Sequence, residues 1–430
     1  MAKTFQTPKG TRDFLPADMR VRRVVFDRLR RYFELYGFDE LDTPAFEYLE
    51  VLTLKSGPGA EHEIYAFDDK AGRRLGLRFD LTSSTGRVVA ANPNLARPVY
   101  RYQVGKVWRY DAPQAGRYRE FYQADADILG SSSTDCEVQL LQLAVDVLRG
   151  FDLPEYQLVL NNRKILDAQV RVAGIPPDKK PEALRALDKL HKLGREGVAA
   201  EFVRYGLTLE QFEAFFHVIV VDTLAEAKER VAGDAVGLAG IAELEEIFAK
   251  AHALGFGDRL AFDWTLVRGL DYYTGPIFEA RAKTESGFGS FGGGGRYDDL
   301  VGLYGGQATG AVGFSFGVER LILLMQERGG SVATAPQPLL LLADDPSGLA
   351  AATSLAQTLR AANIAVRFVG LMKRDKAFKY STAADLPRLI IASAADGEAG
   401  VFGLRDAHAK AEKRLTVAEL IQALASHSHA

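Results

Sequence analysis

Between Arg119 and Ile128 the chain alternates two kinds of residue. Arg119, Phe121, Gln123, Asp125 and Asp127 fall on one side of an extended segment, and Tyr122, Ala124, Ala126 and Ile128 on the other. The second set is an ordinary core face. The first places an amide and two carboxylates in a row, which a strand tolerates only where that side meets solvent or a polar ligand. Half-exposed sheet and pocket floor are both open readings. A second strand-like stretch, Val104 to Trp108, precedes it across the polar loop Tyr110 to Tyr118, so the two predict a long antiparallel hairpin. Arg109 and Arg117 flank that loop, and their planar forks suit a polyphosphate gripped from two sides.

Four further segments carry chemistry. Residues 266 to 275 read Leu-Val-Arg-Gly-Leu-Asp-Tyr-Tyr-Thr-Gly, with an Arg, an Asp and two Tyr where a plain strand would alternate apolar residues. Arg268 suits a carboxylate or phosphate, and Tyr272 and Tyr273 offer ring faces and hydroxyls to a small polar ligand. The plainer reading pairs Asp271 with Arg268. From Gly310 to Met325 the pattern is a strand ending at Gly317 and a helix starting just after it. Arg320 then lies in the first helical turn, where the macrodipole disfavours a cation by roughly 0.3–1 kcal/mol. Either Glu319 or a bound phosphate offsets that. Arg78 to Thr82 ends a strand with Asp80 and Thr82, a carboxylate and a hydroxyl suited to an ammonium group. The run Gly292 to Gly295 permits close backbone approach to a ligand. No Gly-x-x-x-x-Gly-Lys-Ser/Thr and no strand-to-helix Gly-x-Gly-x-x-Gly occurs, so a nucleotide would be held by Arg clamps on an antiparallel sheet.

At 430 residues, two or three domains are expected. A hydrophobic content of 47% with 25% charged residues is that of a globular protein. No apolar stretch reaches membrane-spanning length and Met1 to Gly10 lacks a signal pattern, so the expected location is cytoplasmic with no membrane partner. A single cysteine, Cys136, excludes an intrachain disulfide and a thiolate zinc cluster, and the seven His are scattered, so no metal site is expected. His427 and His429 read as a tail. The net charge of −3 leaves nucleic-acid binding to local surfaces. Arg20, Arg22, Arg23, Arg28, Arg30 and Arg31 crowd one predicted helix, and Lys373, Arg374, Lys376 and Lys379 another segment. Each is either a solvated face or a nucleic-acid contact.

Helical spacing is predicted over Met19 to Tyr36 and Cys136 to Arg149. Residues from about 163 to 257 are rich in Leu, Ala, Lys and Glu, as in a helical insertion. Arg328 to Pro338 reads as a linker. Beyond it, strand candidates at Leu339 to Ala343, Ala365 to Val369 and Leu389 to Ala392 alternate with helices near Ala350 to Ala361 and Ala377 to Ala384, a small α/β domain.

The Arg-bearing strand-loop-strand, the strand-helix with Gly317-Val318-Glu319-Arg320 and a preceding helix-strand with Pro44 resemble motifs 2, 3 and 1 of class II aminoacyl-tRNA synthetases. Leu266 to Gly275, Gly294-Gly295-Arg296-Tyr297-Asp298 and Gly10 to Pro16 resemble the histidyl-tRNA synthetase family in particular. The resemblance implies an α+β catalytic domain with a mainly antiparallel sheet of six or more strands flanked by helices. It divides the chain into a catalytic domain (1–162 and 258–328), a helical insertion (163–257) and a C-terminal α/β anticodon-binding domain (336–426). It implies that Asp80, Thr82 and Gln123 hold the α-amino group of histidine, while Asp127, Tyr272 and Tyr273 read its imidazole. Arg109 would grip the α-phosphate of ATP, Arg117 and Arg320 the outer phosphates, and Arg268 the reacting carboxylate and α-phosphate. Mg²⁺ would arrive with ATP. Gln114, Lys373, Arg374, Lys376 and Lys379 are the implied contacts to tRNA(His), and a homodimer is implied around Pro44. Two segments depart from the family pattern: Ser83-Ser84-Thr85-Gly86-Arg87, and Ile391 to Gly397. A histidine-sensing regulatory subunit of ATP phosphoribosyltransferase has the same catalytic fold and is the alternative; it usually lacks the C-terminal domain.

Overall fold

The computed structural model describes residues 5–54, 60–112, 116–153, 155–267, 272–284, 287–327, 337–406 and 411–425. Arg268, Gln114, the His427–His429 tail and most of the 328–338 segment lie outside them. The chain forms two compact units, Met1–Asp13 with Val25–Ser331, and Phe14–Val24 with Val332–Ala430.

The first unit is built on an eight-stranded sheet. Its six central strands are mutually antiparallel, in the order Val99–Trp108, Glu120–Leu129, Ala311–Gly317, Gly287–Arg296, Pro276–Thr284 and Tyr156–Asn162. Short parallel strands, Asp39–Glu40 and Leu260–Phe262, close the edges. The predicted hairpin is present, but its first arm begins at Val99 rather than Val104. Tyr100-Arg101-Tyr102-Gln103 lacks the apolar alternation of a core strand, and its pairing is set by the second arm.

Both faces of Gln123, Ala124, Asp125, Ala126 and Asp127 are buried. That excludes the half-exposed sheet. Helices Pro16–Leu35, Asp135–Gly150 and Val318–Glu327 are amphipathic. The Phe33 ring from the first of them lies 5.2 Å from Tyr102 and 6.4 Å from Phe316, closing the core face. Arginines on that helix are largely committed within the protein. Arg22 is buried over the Phe14 ring, Arg28 donates to the Gly150 carbonyl at 2.6 Å, and Arg30 pairs with Glu40.

The glycine run serves the sheet itself. A Cβ at Gly294 would stand 1.8 Å from the Gly313 carbonyl oxygen, and one at Gly295 would meet the Tyr273 ring at 2.8 Å. Only glycine allows strands and ring to approach so closely. Past the run, Arg296 turns into the core and grips Glu137 of the Asp135–Gly150 helix with two bonds of 2.6 Å. It also donates to the carbonyls of Ser131 and Ser133. This buried fork ties the end of the central strand to the helix beneath it.

Residues 163–257 contain six α-helices and no strand, packed on Phe202, Phe212 and Phe215. In the second unit a five-stranded sheet runs Val366–Leu371, Leu339–Ala343, Arg388–Ala392, Val401–Asp406 and Ala411–Thr416. The first three strands are parallel, as βαβ connections require. The last two form an antiparallel hairpin that sequence reading missed, because an outer strand such as Ala-Glu-Lys-Arg-Leu-Thr is mostly exposed and lacks an apolar face. The divergent 391–397 segment ends one strand and starts a helix, capped reciprocally by Ser393 and Asp396. No helix among the described residues is long and apolar enough to cross a membrane.

Because Glu137 is 0% exposed and its charge is matched by Arg296 in a bidentate fork, Glu137→Gln is expected to lower stability by about 3–5 kcal/mol. The readout is the urea unfolding midpoint at unchanged slope; a loss under about 1 kcal/mol would show that the fork is dispensable.

Candidate active site

Two connected hollows lie on the central sheet. The larger is an open cleft of about 690 Å³ whose lining includes Glu63, Arg109, Arg117, Phe121, Gln123, His191, Glu279, Arg281 and Arg320. The smaller is a cavity of about 60 Å³ lined by Asp80, Thr82, Gln123, Asp125, Asp127, Tyr272, Tyr273, Tyr297 and the strand residues around them. They share Gln123, Gly293 and Ser315, so the cavity is a side chamber of the cleft.

Asp80 is placed by a chain of backbone contacts. Arg78 is buried and donates to the carbonyls of Thr43 at 2.6 Å and Lys106 at 2.9 Å, fastening the turn to the hairpin. Gly105 leaves room for that guanidinium, since a Cβ there would meet Arg78 Nη2 at 2.7 Å. Asp80 Oδ1 then accepts the Ser83 N–H at 3.0 Å at the start of helix Thr82–Ala91. In the same turn Thr82, Ser83, Ser84 and Thr85 are all buried, and Thr82 lines the chamber.

The strand face supplies the rest of the chamber. Gln123 donates to Ser315 Oγ at 2.7 Å, while its Oε1 has no hydrogen-bond partner among the described residues. Asp125 and Asp127 are each 2% exposed. Burial pushes the Asp125 carboxyl up to about 7; Arg101 opposes the rise, and Asp127 and Asp80 add to it. Asp127 is held by an ion pair of 2.5 Å from Arg101 and by the Tyr297 hydroxyl, which donates to it. Burial, reinforced by Asp127, raises the Tyr297 hydroxyl well above its ordinary range, so it stays a donor. The Tyr272 and Tyr273 rings lie with centroids 4.5 Å apart, tilted by 30°.

In the cleft, Arg109 is anchored by Nε to the Phe79 carbonyl at 2.9 Å, with its guanidinium 5.3 Å from the Phe121 ring centroid. Arg117 pairs with Asp111 at 2.9 Å. Arg320 donates to the Ser290 carbonyl at 2.7 Å, and Glu319 beside it accepts the Tyr122 N–H at 2.9 Å. The opposite wall carries Arg281, bound to Asp263 at 2.5 Å and Glu279 at 2.6 Å.

Asp80, Thr82, Gln123, Asp127, Tyr272 and Tyr273 therefore line one chamber, and Arg109, Arg117 and Arg320 line the cleft it opens into. Lys373, Arg374, Lys376 and Lys379 lie in the other unit, exposed on helix Arg374–Ala383 and at its cap. Arg374 pairs with Asp344 at 3.2 Å. Among the described residues, no group of three or more His, Cys, Asp and Glu is arranged to hold a metal ion.

Residues 10–321 match the family model for histidyl-tRNA synthetase. The chain belongs to the histidyl-tRNA synthetase family. The histidine–tRNA ligase of Aeropyrum pernix is 39% identical over 421 residues, 94% of each chain. That of Thermococcus kodakarensis is 34% identical over 418 residues, 95% of each. The crystal structure of histidyl-tRNA synthetase from Nostoc sp. PCC 7120 covers 99% of both chains with a TM-score of 0.82 at 26% identity.

Sequence reasoning gave no role to three residues in or behind the chamber. Arg101 lay before the recognised strand, and Tyr297 was noted only within the Gly294–Asp298 motif. Asp125 was noticed on the strand face but given no role. Its position between Gln123 and Asp127 was the available signal.

The raised Asp125 carboxyl has a stability consequence. The folded state holds a proton from about pH 4 to 7 that the unfolded chain releases, so Asp125 opposes folding increasingly as pH rises through that window. Asp125→Asn removes the effect. The stability difference between variant and wild type is expected to move in the variant's favour by about 2–3 kcal/mol between pH 5 and pH 8. Urea unfolding at the two pH values measures it, and a pH-independent difference would contradict the assignment.

Proposed function

We propose that this chain is a histidine–tRNA ligase, activating histidine with ATP to histidyl-adenylate and pyrophosphate and transferring the histidyl group to the 3′ end of tRNA(His). One observation carries the reading. A small chamber with three carboxyl groups and paired tyrosines adjoins a cleft lined by Arg109, Arg117 and Arg320, which suits an amino acid meeting a triphosphate. Asp80, Thr82 and Gln123 hold the α-ammonium group, and Asp127, Tyr272 and Tyr273 contact the imidazole. Arg109 grips the α-phosphate, and Arg117 and Arg320 the outer phosphates. Arg268, outside the described residues, neutralises charge at the reacting carboxylate and α-phosphate.

In the first step a histidine carboxylate oxygen bonds to the α-phosphorus while the bond to the bridging oxygen of the β-phosphate breaks, releasing pyrophosphate. The carboxylate is ionised near neutral pH and needs no base. Positioning and charge neutralisation by the arginines supply the catalysis, as in other phosphoryl-centre displacements. In the second step the terminal ribose hydroxyl of the tRNA attacks the histidyl carbonyl, AMP leaves, and the hydroxyl proton passes to AMP or solvent. Mg²⁺ enters bound to the ATP phosphates. The 1–162 and 258–328 segments form the catalytic domain, 163–257 an insertion and 336–426 the anticodon-binding domain of a cytoplasmic homodimer. Gln114, Lys373, Arg374, Lys376 and Lys379 contact tRNA. The regulatory-subunit alternative is not favoured, because ligases match the chain over 94% or more of both lengths.

Histidine-dependent ATP–pyrophosphate exchange is the direct test, and its absence in folded protein with ATP and Mg²⁺ would sink the proposal. Arg109→Ala should reduce exchange by about 10²–10³-fold, and Arg268→His should abolish it while histidine binding persists. For the other unit, replacing Lys376 and Lys379 by Ala should weaken tRNA binding and lower the slope of log affinity against log salt by about 0.7–0.9 per lost phosphate contact. An unchanged slope would reject that surface.

A further inference from the structure

We infer that Arg101 is the residue that makes the chamber selective for an imidazole N–H, as a positioning residue that keeps Asp127 an ionised acceptor. The inference rests on the proposal that the chamber receives the side chain of histidine, and names what enforces that choice.

Arg101 stands directly opposite Asp127 in the antiparallel pair, so the two side chains share a face at the closest spacing a sheet provides. Each is 2% exposed, and the ion pair between them measures 2.5 Å. On the other flank, Asp127 faces Gly313. A Cβ there would fall 1.9 Å from Asp127 Oδ1 and 3.0 Å from the Tyr297 hydroxyl, so the missing side chain is the space in which carboxylate and phenol meet. The Tyr297 hydroxyl donates to Oδ1, and Arg101 Nη2 lies against Oδ2 in the ion pair. Both groups therefore bear on a carboxylate that lines the chamber.

The groups around Asp127 press toward protonation. Asp125 lies on its own strand, Asp80 on the turn before helix Thr82–Ala91, Tyr297 beyond the central strand and Tyr272 and Tyr273 across the chamber, none of them cationic at neutral pH. Among the described residues, Arg101 is the cation ion-paired to Asp127. Protonated, Asp127 would offer an O–H and accept a different ligand; ionised, it demands a donor such as an imidazole N–H. Replacing Arg101 by a neutral residue raises the carboxylate's proton affinity, so binding is lost as pH falls through the raised value.

Steady-state exchange tests this with Arg101→Gln, and with Arg101→Gln/Asp125→Asn, which also removes the neighbouring carboxyl that adds to the repulsion as it ionises. In the single variant the KM for histidine should rise roughly tenfold or more, the factor for a weakened bond to a charged group, with the KM for ATP nearly unchanged. The acid limb of kcat/KM for histidine should move up by about 1–3 pH units. Titration of free histidine is common to all proteins compared. In the double variant the limb should return toward wild type while the histidine KM stays raised. Parallel rises in both KM values, an unmoved limb in the single variant, or a wild-type histidine KM in the double variant would each overturn the inference. Wild-type protein without histidine-dependent exchange would overturn the reading of the chamber itself, a distinguishable failure.

Discussion

The chamber depends on a buried guanidinium meeting a buried carboxylate across a strand pair. Taking Arg101 and Asp127 out of water is costly, and the cost is offset only because the sheet register sets them face to face and Tyr297 adds a donor. Removing either partner would leave an uncompensated charge in the middle of the sheet. That interaction also orders its neighbours. Gly313 must lack a side chain because Asp127 occupies the place where one would be, and Gly294 must lack one because the Gly313 strand lies against it. The first glycine is a consequence of the carboxylate and the second of the close strand spacing beside it.

The arginines of the cleft are prepared in a different way. Arg109 and Arg320 each use part of their fork on a backbone carbonyl, Phe79 and Ser290 respectively. Such bonds reduce the rotamer freedom that would otherwise be lost on binding a phosphate. Arg78 shows the other use of the same residue type, with its donors committed to Thr43 and Lys106 so that the turn bearing Asp80 is held against the hairpin.

Much of this was legible before the structure. Period-two alternation located the Glu120–Leu129 strand, and the step from Gly317 to a helix placed Arg320 in a first turn. What misled was local texture. The arginines of helix Pro16–Leu35 read as a basic surface, yet Arg22 is buried and Arg28 and Arg30 are occupied within the fold. The glycine run read as a ligand cradle, and Gly292 to Gly294 do line the two hollows, but Gly294 and Gly295 also make space for a strand and for Tyr273. Strand Val99–Trp108 was entered five residues late because a buried arginine interrupts its apolar pattern.

The sequence by itself determined the chemical inventory of the site, the hairpin that carries it, and the exclusion of loop-type nucleotide motifs, because residue type and spacing along one strand or helix are local properties. Only the tertiary structure decided that Asp125 and Asp127 are buried rather than solvated, that Arg101 and Tyr297 belong to the same cluster, and that the chamber opens on the arginine cleft. Those outcomes depend on register between strands as far apart in the chain as Val99–Trp108, Glu120–Leu129 and Ala311–Gly317. Register is set by the packing of both faces at once, and no single segment contains it.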